Sequence, residues 1–197
     1  MDREVRQMRS VASNFETREE NDEMIIEGYF AVFNSNYDIA PGLSESIAPG
    51  AFKGALAGDI RALINHDTTL VLGRTAAKTL ELSEDERGLW GRIRINPKDS
   101  DAVNLYERVK RGDVSQCSFG FDIVSEETEF LENGDIHWTI KEINPLYEVS
   151  CCTFPAYEST NIDARTKQRD DILKRKTEAW RETMKGRLKN GTQSIDD

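Results

Sequence analysis

Asn133-Gly134 stands between two runs, "VSQCSFGFDIVSEETEF" and "DIHWTIKEI", that are rich in β-branched and aromatic residues. A two-residue type I′ turn needs positive φ at both central positions, and Asn-Gly takes that conformation at least cost. The flanking runs are therefore expected to fold back on each other as an antiparallel hairpin. The surrounding text extends the same class. "MIIEGYFAVFNSNYDI", from Met24, reads as a strand bulged at Gly28. "IRALINHD" reads as a strand ending near His66, and "LVLGRTAAKTLELSEDERGLWGRIRINP" as strands joined by tight turns. "PLYEVSCCTFPAY" is a last strand stopped by Pro155, while "APGLSESIAPG", with two Pro-Gly steps, reads as a loop.

One helix interrupts the strands. Asp99 or Ser100 can cap "DAVNLYERVKRGD", where Val103, Tyr106 and Val109 recur at spacing three and Gly112 supplies a stop. Residues 1–23 form a lead-in with little apolar periodicity, and residues 24–163 a β-rich domain. Residues 164–197 form a helical tail in which Leu173, Trp180, Met184 and Leu188 fall near one face.

Charge is unevenly spread. The chain of 197 residues carries −10 overall, yet residues 165–189 hold ten Lys/Arg and four Asp/Glu, about +6. The remainder is then about −16, the wrong sign for a duplex-binding surface, so nucleic acid is not expected as a partner of residues 1–164. No apolar run approaches the roughly 18 residues of a membrane span, and none is expected to cross or anchor. The three cysteines, Cys117, Cys151 and Cys152, are odd in number and two are adjacent, which suits reduced thiols. Two histidines 71 positions apart and no CxxC make no metal-ligand set, and no glycine loop for phosphate is present; no cofactor is expected.

The chemistry-bearing stretch is "GDVSQCSFGF", residues 112–121. Strand alternation puts Cys117, Phe119 and Phe121 on one face and Gln116, Ser118 and Gly120 on the other. The phenylalanines mark the first face as core, so Cys117 reads as a small buried hydrophobe and Ser118 as the accessible nucleophile. A serine needs a base, and the base needs a partner to orient it. His66, at a strand end in "LINHD", is placed to project into a cleft; His137 follows the hairpin turn and reads as structural or solvated. Asp67, Asp122 and Glu148 are the candidate third groups. Glu148 interrupts the apolar strand "LYEVSCC", where a carboxylate is costly unless paired, or else it faces water from an edge strand.

"EGYFAVFN", "IAPGAF", "INHD", "LGRT", "LWGRIRI", "SQCSFGF" and "YEVSCCTFPAY" occur in order, and together they resemble the tailed-phage prohead proteases of the HK97 type, related in fold to the herpesvirus maturation proteases. The resemblance covers roughly residues 24–160. It implies a mainly β fold, an antiparallel β-barrel of the herpesvirus-protease type with flanking helices, to which the C-terminal basic amphipathic helix is added. It implies a serine endopeptidase with Ser118 as nucleophile and His66 as base. The strand that carries a histidine as third member in the herpesvirus enzymes holds Glu148 here, with Asp67 as its rival. The implied substrates are the major capsid protein with its scaffold segment, and the enzyme itself, inside the prohead in the bacterial host cytoplasm. A homodimer is expected by the same analogy. Two other readings stand beside this one: a non-catalytic capsid- or scaffold-binding module on the same fold, and a cysteine protease using Cys117 with His66.

Overall fold

The computed structural model describes residues 7–12, 15–20, 23–154 and 159–191. Two compact units are distinguished, Met1–Glu158 and Ser159–Asp197. The first contains β1 (Gln7–Ala12), β2 (Glu16–Glu20), β3 (Glu23–Val32), β4 (Tyr37–Ala40), β5 (Leu43–Ile47), β6 (Arg61–Ile64), β7 (Asp67–Arg74), β8 (Leu80–Glu84) and β9 (Gly88–Ile95). Helix α1 (Ser100–Arg111), β10 (Gln116–Phe130) and β11 (Ile136–Cys152) complete it. The second is one helix, α2 (Ser159–Gly191), on which Leu173 and Trp180 are exposed. Among the described residues no helix is long and apolar enough to cross a membrane.

The strands form two sheets rather than a closed barrel. One runs β1-β10-β11-β5-β4 with β6 and β7 attached through β11, and the other runs β2-β3-β9-β8. Nor is the pairing wholly antiparallel. The expected hairpin forms, with β10 antiparallel to β11, though its connection is the five residues 131–135 and only Gly134 there has positive φ; the other edge of β11 takes β5 near its start and β6 near its end, both parallel. Alternation identifies a strand and its faces; it carries no information on the direction of a neighbour brought in from elsewhere in the chain.

Two expectations are corrected along the way. Residues 7–20, without a clear apolar period, supply β1 and β2, each recruited to the edge of a longer strand. The stretch "APGLSESIAPG" is not all loop: its Pro-Gly steps bracket β5, whose Glu45 is fully buried. Arg9 of β1 answers that carboxylate, its Nη2–H donating to Glu45 Oε2 at 2.8 Å and its Nε–H to Oε1. A buried acid is tolerable when a guanidinium meets it two-pronged.

The core joins both sheets. Ile26, Phe30 and Ile93 pack with Phe52, Phe119, Phe121 and Val149, all at most 1% exposed. Phe119 stacks on Phe121 and meets Phe52 edge-on, with ring centres 5.0 and 5.6 Å apart. Helix α1 begins as expected at Asp99, which accepts from the Asp101 and Ala102 N–H groups. Its buried face is Ala102, Leu105, Tyr106 and Val109, with Val103 only half-buried.

Two glycines separate two kinds of constraint. Gly112 ends α1 at φ 84° with open space where a Cβ would sit, so alanine there meets only the left-handed backbone cost of about 1 kcal/mol. A Cβ on Gly88 would lie 2.0 Å from the Ala31 carbonyl oxygen, a backbone atom with little freedom to retreat. Gly88→Ala is expected to cost about 1–3 kcal/mol or more, and more than Gly112→Ala. Thermal melts of the two variants check the order.

Candidate active site

Strands β6 and β7 are joined by a two-residue turn, Asn65-His66, closed by the pair Ile64 and Asp67. Both turn residues have positive φ, 49° and 63°. Asparagine and histidine both enter that region more readily than most side chains, but without glycine's freedom, and the left-handed conformation costs the histidine about 1 kcal/mol. Asn65 pins the turn to the end of β11. Its Oδ1 accepts from the Thr153 N–H at 2.9 Å, and its own N–H donates to the Cys151 carbonyl at 3.0 Å. The His66 ring is thereby held over β11.

There it meets Glu148. His66 Nδ1 lies 2.8 Å from Glu148 Oε1, and the Glu148 side chain is only 2% exposed. With the carboxylate as acceptor, Nδ1 carries the ring proton of a neutral imidazole and Nε2 is left as the basic nitrogen. Ser150, two residues on and on the same face, completes a ring of contacts: its Oγ–H donates to Glu148 Oε2, and its Oγ accepts from the His66 backbone N–H at 3.3 Å. The sequence reading passed over Ser150. Its signal was the i, i+2 spacing from Glu148 within a strand, which places a hydroxyl beside a buried carboxylate.

Of the three carboxylates considered, Glu148 is the one bonded to His66. Asp67 is exposed, and its Oδ1 accepts from the Thr69 hydroxyl and N–H, which hold its carboxyl below the usual range. Asp122 accepts from the Tyr147 hydroxyl at 2.6 Å. His137 lies at the other end of β11, part-buried, its ring nitrogens 2.9 and 2.8 Å from the Ser44 and Ser46 hydroxyl oxygens.

Ser118 sits near the start of β10, in register with Ser150, while Gly120 stands opposite Glu148 and Gln116 opposite Cys152. Ser118 therefore shares the sheet face of Glu148 and Ser150. It is not exposed, contrary to the expectation of an accessible hydroxyl: its relative exposure is 0%, and its Oγ has no hydrogen-bond partner among the described residues. Alternation gives the face a side chain takes, not what lies over that face. The structure thus brings His66 and Glu148 together and aligns Ser118 with their row, without a hydrogen bond from Ser118 to the ring.

The cysteines divide as the alternation required. Cys117 is fully buried on the core face, its thiol directed at the Tyr29 and Phe30 carbonyls. Cys152 lies on the site face, Sγ 3.8 Å from His66 Nε2. Burial, and secondarily the Glu148 charge, push the Cys152 thiol up to about 12, and burial pushes Cys151 well up. A thiol so raised stays protonated and unreactive at neutral pH. The native protein at pH 8 is expected to give essentially no colour with Ellman's reagent and three thiols per chain after denaturation. A fast-reacting native thiol would restore the cysteine reading.

Comparison with known proteins meets this geometry from outside. The chain is 37% identical over 144 residues to the prohead protease of Enterobacteria phage HK97, an alignment covering 71% of this chain and 59% of that protein. In fold it is similar to the capsid assembly protease of bacteriophage T4, with a TM-score of 0.50 at 11% identity over 76% of this chain and 98% of the other. Residues 13–175, a span that holds His66, Ser118 and Glu148, match the model of the caudovirus prohead serine proteases, and the chain belongs to that family.

Proposed function

We propose that the chain is a serine endopeptidase of phage capsid maturation, with Ser118 as nucleophile, His66 as general base and Glu148 as the group that orients it. The observation that carries the reading is the 2.8 Å contact between His66 Nδ1 and a buried Glu148, built from a turn that strains its histidine. Folding alone favours glycine at that position, so the imidazole is explained by chemistry.

In the reaction the Ser118 Oγ forms a bond to the carbonyl carbon of a peptide as its proton passes to His66 Nε2. The carbonyl π pair moves to oxygen. When the tetrahedral centre collapses, the C–N bond breaks and the leaving amine takes the proton from His66. Water repeats the sequence on the acyl-enzyme and returns Ser118. Glu148, buried and close, favours the imidazolium formed in each half; Ser150 holds the carboxylate and is a positioning residue. In this structure Ser118 is covered, so substrate must open the face that the hydroxyl occupies.

The proposed substrates are the major capsid protein with its scaffold segment, and the chain itself, within the prohead in the host cytoplasm. The enzymatic unit starts before residue 24, because β1 borders the nucleophile strand. The basic helix, with ten Lys/Arg against four Asp/Glu in residues 165–189, is a docking tail for an acidic surface of the assembling shell.

Co-expression with the major capsid protein of the same phage, read by gel and mass spectrometry, tests the site. Ser118→Ala and His66→Ala are expected to abolish processing. Glu148→Gln should slow it by about 10²–10⁴, since the amide leaves the ring in the wrong tautomer. Processing by Ser118→Ala would instead favour the binding-module reading. Deleting residues 166–197 should reduce incorporation into particles while leaving cleavage of a free peptide intact; unchanged incorporation would remove the docking role.

A further inference from the structure

The site face of β10 carries a second buried atom without a partner. Beside Ser118 Oγ, the side-chain oxygen of Gln116, Oε1, is buried and makes no hydrogen bond among the described residues. The two residues are one strand repeat apart, about 6–7 Å, and both point to the face shared with Ser150 and Cys152. Buried polar atoms are nearly always satisfied, and two orphans on one face ask for one explanation.

Acyl transfer at Ser118 requires donors for the oxyanion. The nucleophile strand is poorly able to supply them from its backbone. From Gln116 to Gly120 it is paired on both edges, by β1 over Met8–Ala12 and by β11 over Glu148–Cys152, so its N–H groups are engaged in ladders. A side-chain amide on the same face is the donor that β10 itself can still offer. A half-turn of the carboxamide exchanges oxygen for nitrogen at the orphan position, and the oxygen gives up no hydrogen bond by turning.

We propose that the Gln116 carboxamide is a side-chain oxyanion donor, presenting Nε2–H to the carbonyl oxygen of the substrate as Ser118 attacks. The proposal rests on Ser118 being the nucleophile. It makes Gln116 a catalytic residue, because the amide touches the reacting oxygen. It also gives the buried position a use: with the carboxamide turned, Nε2–H stands where the orphan oxygen lies, and the substrate brings the oxygen that accepts from it.

The test uses the full chain and an alkyl fluorophosphonate, with which Ser118 Oγ displaces fluoride from phosphorus while the hydroxyl proton passes to His66. Rates of labelling are compared for wild type, Gln116→Met, which keeps the length without a donor, and Gln116→Glu, which sets a negative charge toward the developing anion. Thermal melts accompany each variant. Gln116→Met should label about 10²–10³-fold more slowly, through the maximal rate with little change in half-saturation, and with a Tm close to wild type. Gln116→Glu should be slower still. A wild type labelled at Ser118 and a folded Gln116→Met labelled at the wild-type rate would overturn this proposal alone. A wild type not labelled at Ser118 would overturn both it and the protease reading.

Discussion

Register along the β10–β11 ladder decides which side chains can meet. Gln116 faces Cys152, Ser118 faces Ser150 and Gly120 faces Glu148, so the polar residues of both strands fall in one row. A slip of one residue on β10 would send Ser118 to the core side and bring Cys117 to the site; a slip on β11 would turn Glu148 and Ser150 inward instead. The slip is opposed from the other face, where Cys117, Phe119, Phe121, Val149 and Cys151 are all fully buried. Aromatic packing in the core thus fixes the alignment of the polar row above it. The parallel attachment of β6 to the far edge of β11 then delivers the turn that holds His66.

Much of this could be read from residues alone, and the reasons are local. The Asn133-Gly134 hairpin, the Asp99 cap and the Gly112 stop of α1 declare themselves within a few positions. The assignment of Cys117 to the core followed from alternation with Phe119 and Phe121. What stayed hidden depends on distant partners. β5 looks like loop because Pro-Gly steps flank it, and the acid at its middle gives no apolar counter-signal, since the guanidinium that makes that acid tolerable lies in β1. β1 itself has no apolar period, since it is an edge strand completed by β10. The parallel pairings and the open sheets were likewise invisible, because they concern neighbours rather than faces.

The site shows the same division. His66 and Glu148 were legible as an imidazole at a strand end and a carboxylate where none is welcome. Their contact at 2.8 Å could not be read from the sequence, nor could the Ser150 hydroxyl that holds the second carboxylate oxygen. The burial of Ser118, and of the side-chain oxygen of half-buried Gln116, was equally beyond a pattern argument, since what covers a strand face is contributed by the rest of the fold.

Asn65-His66 carries one more implication. Because the imidazole is mounted on a turn whose backbone prefers glycine, replacement by glycine, asparagine or aspartate would ease the turn, while most other residues would strain it further. Relaxing selection on the chemistry would let that ease be taken up, and a lineage kept only for its shell contacts would tend to lose the ring early. On the role proposed for His66, glycine or asparagine at this point would mark a chain that keeps the turn and has given up the base.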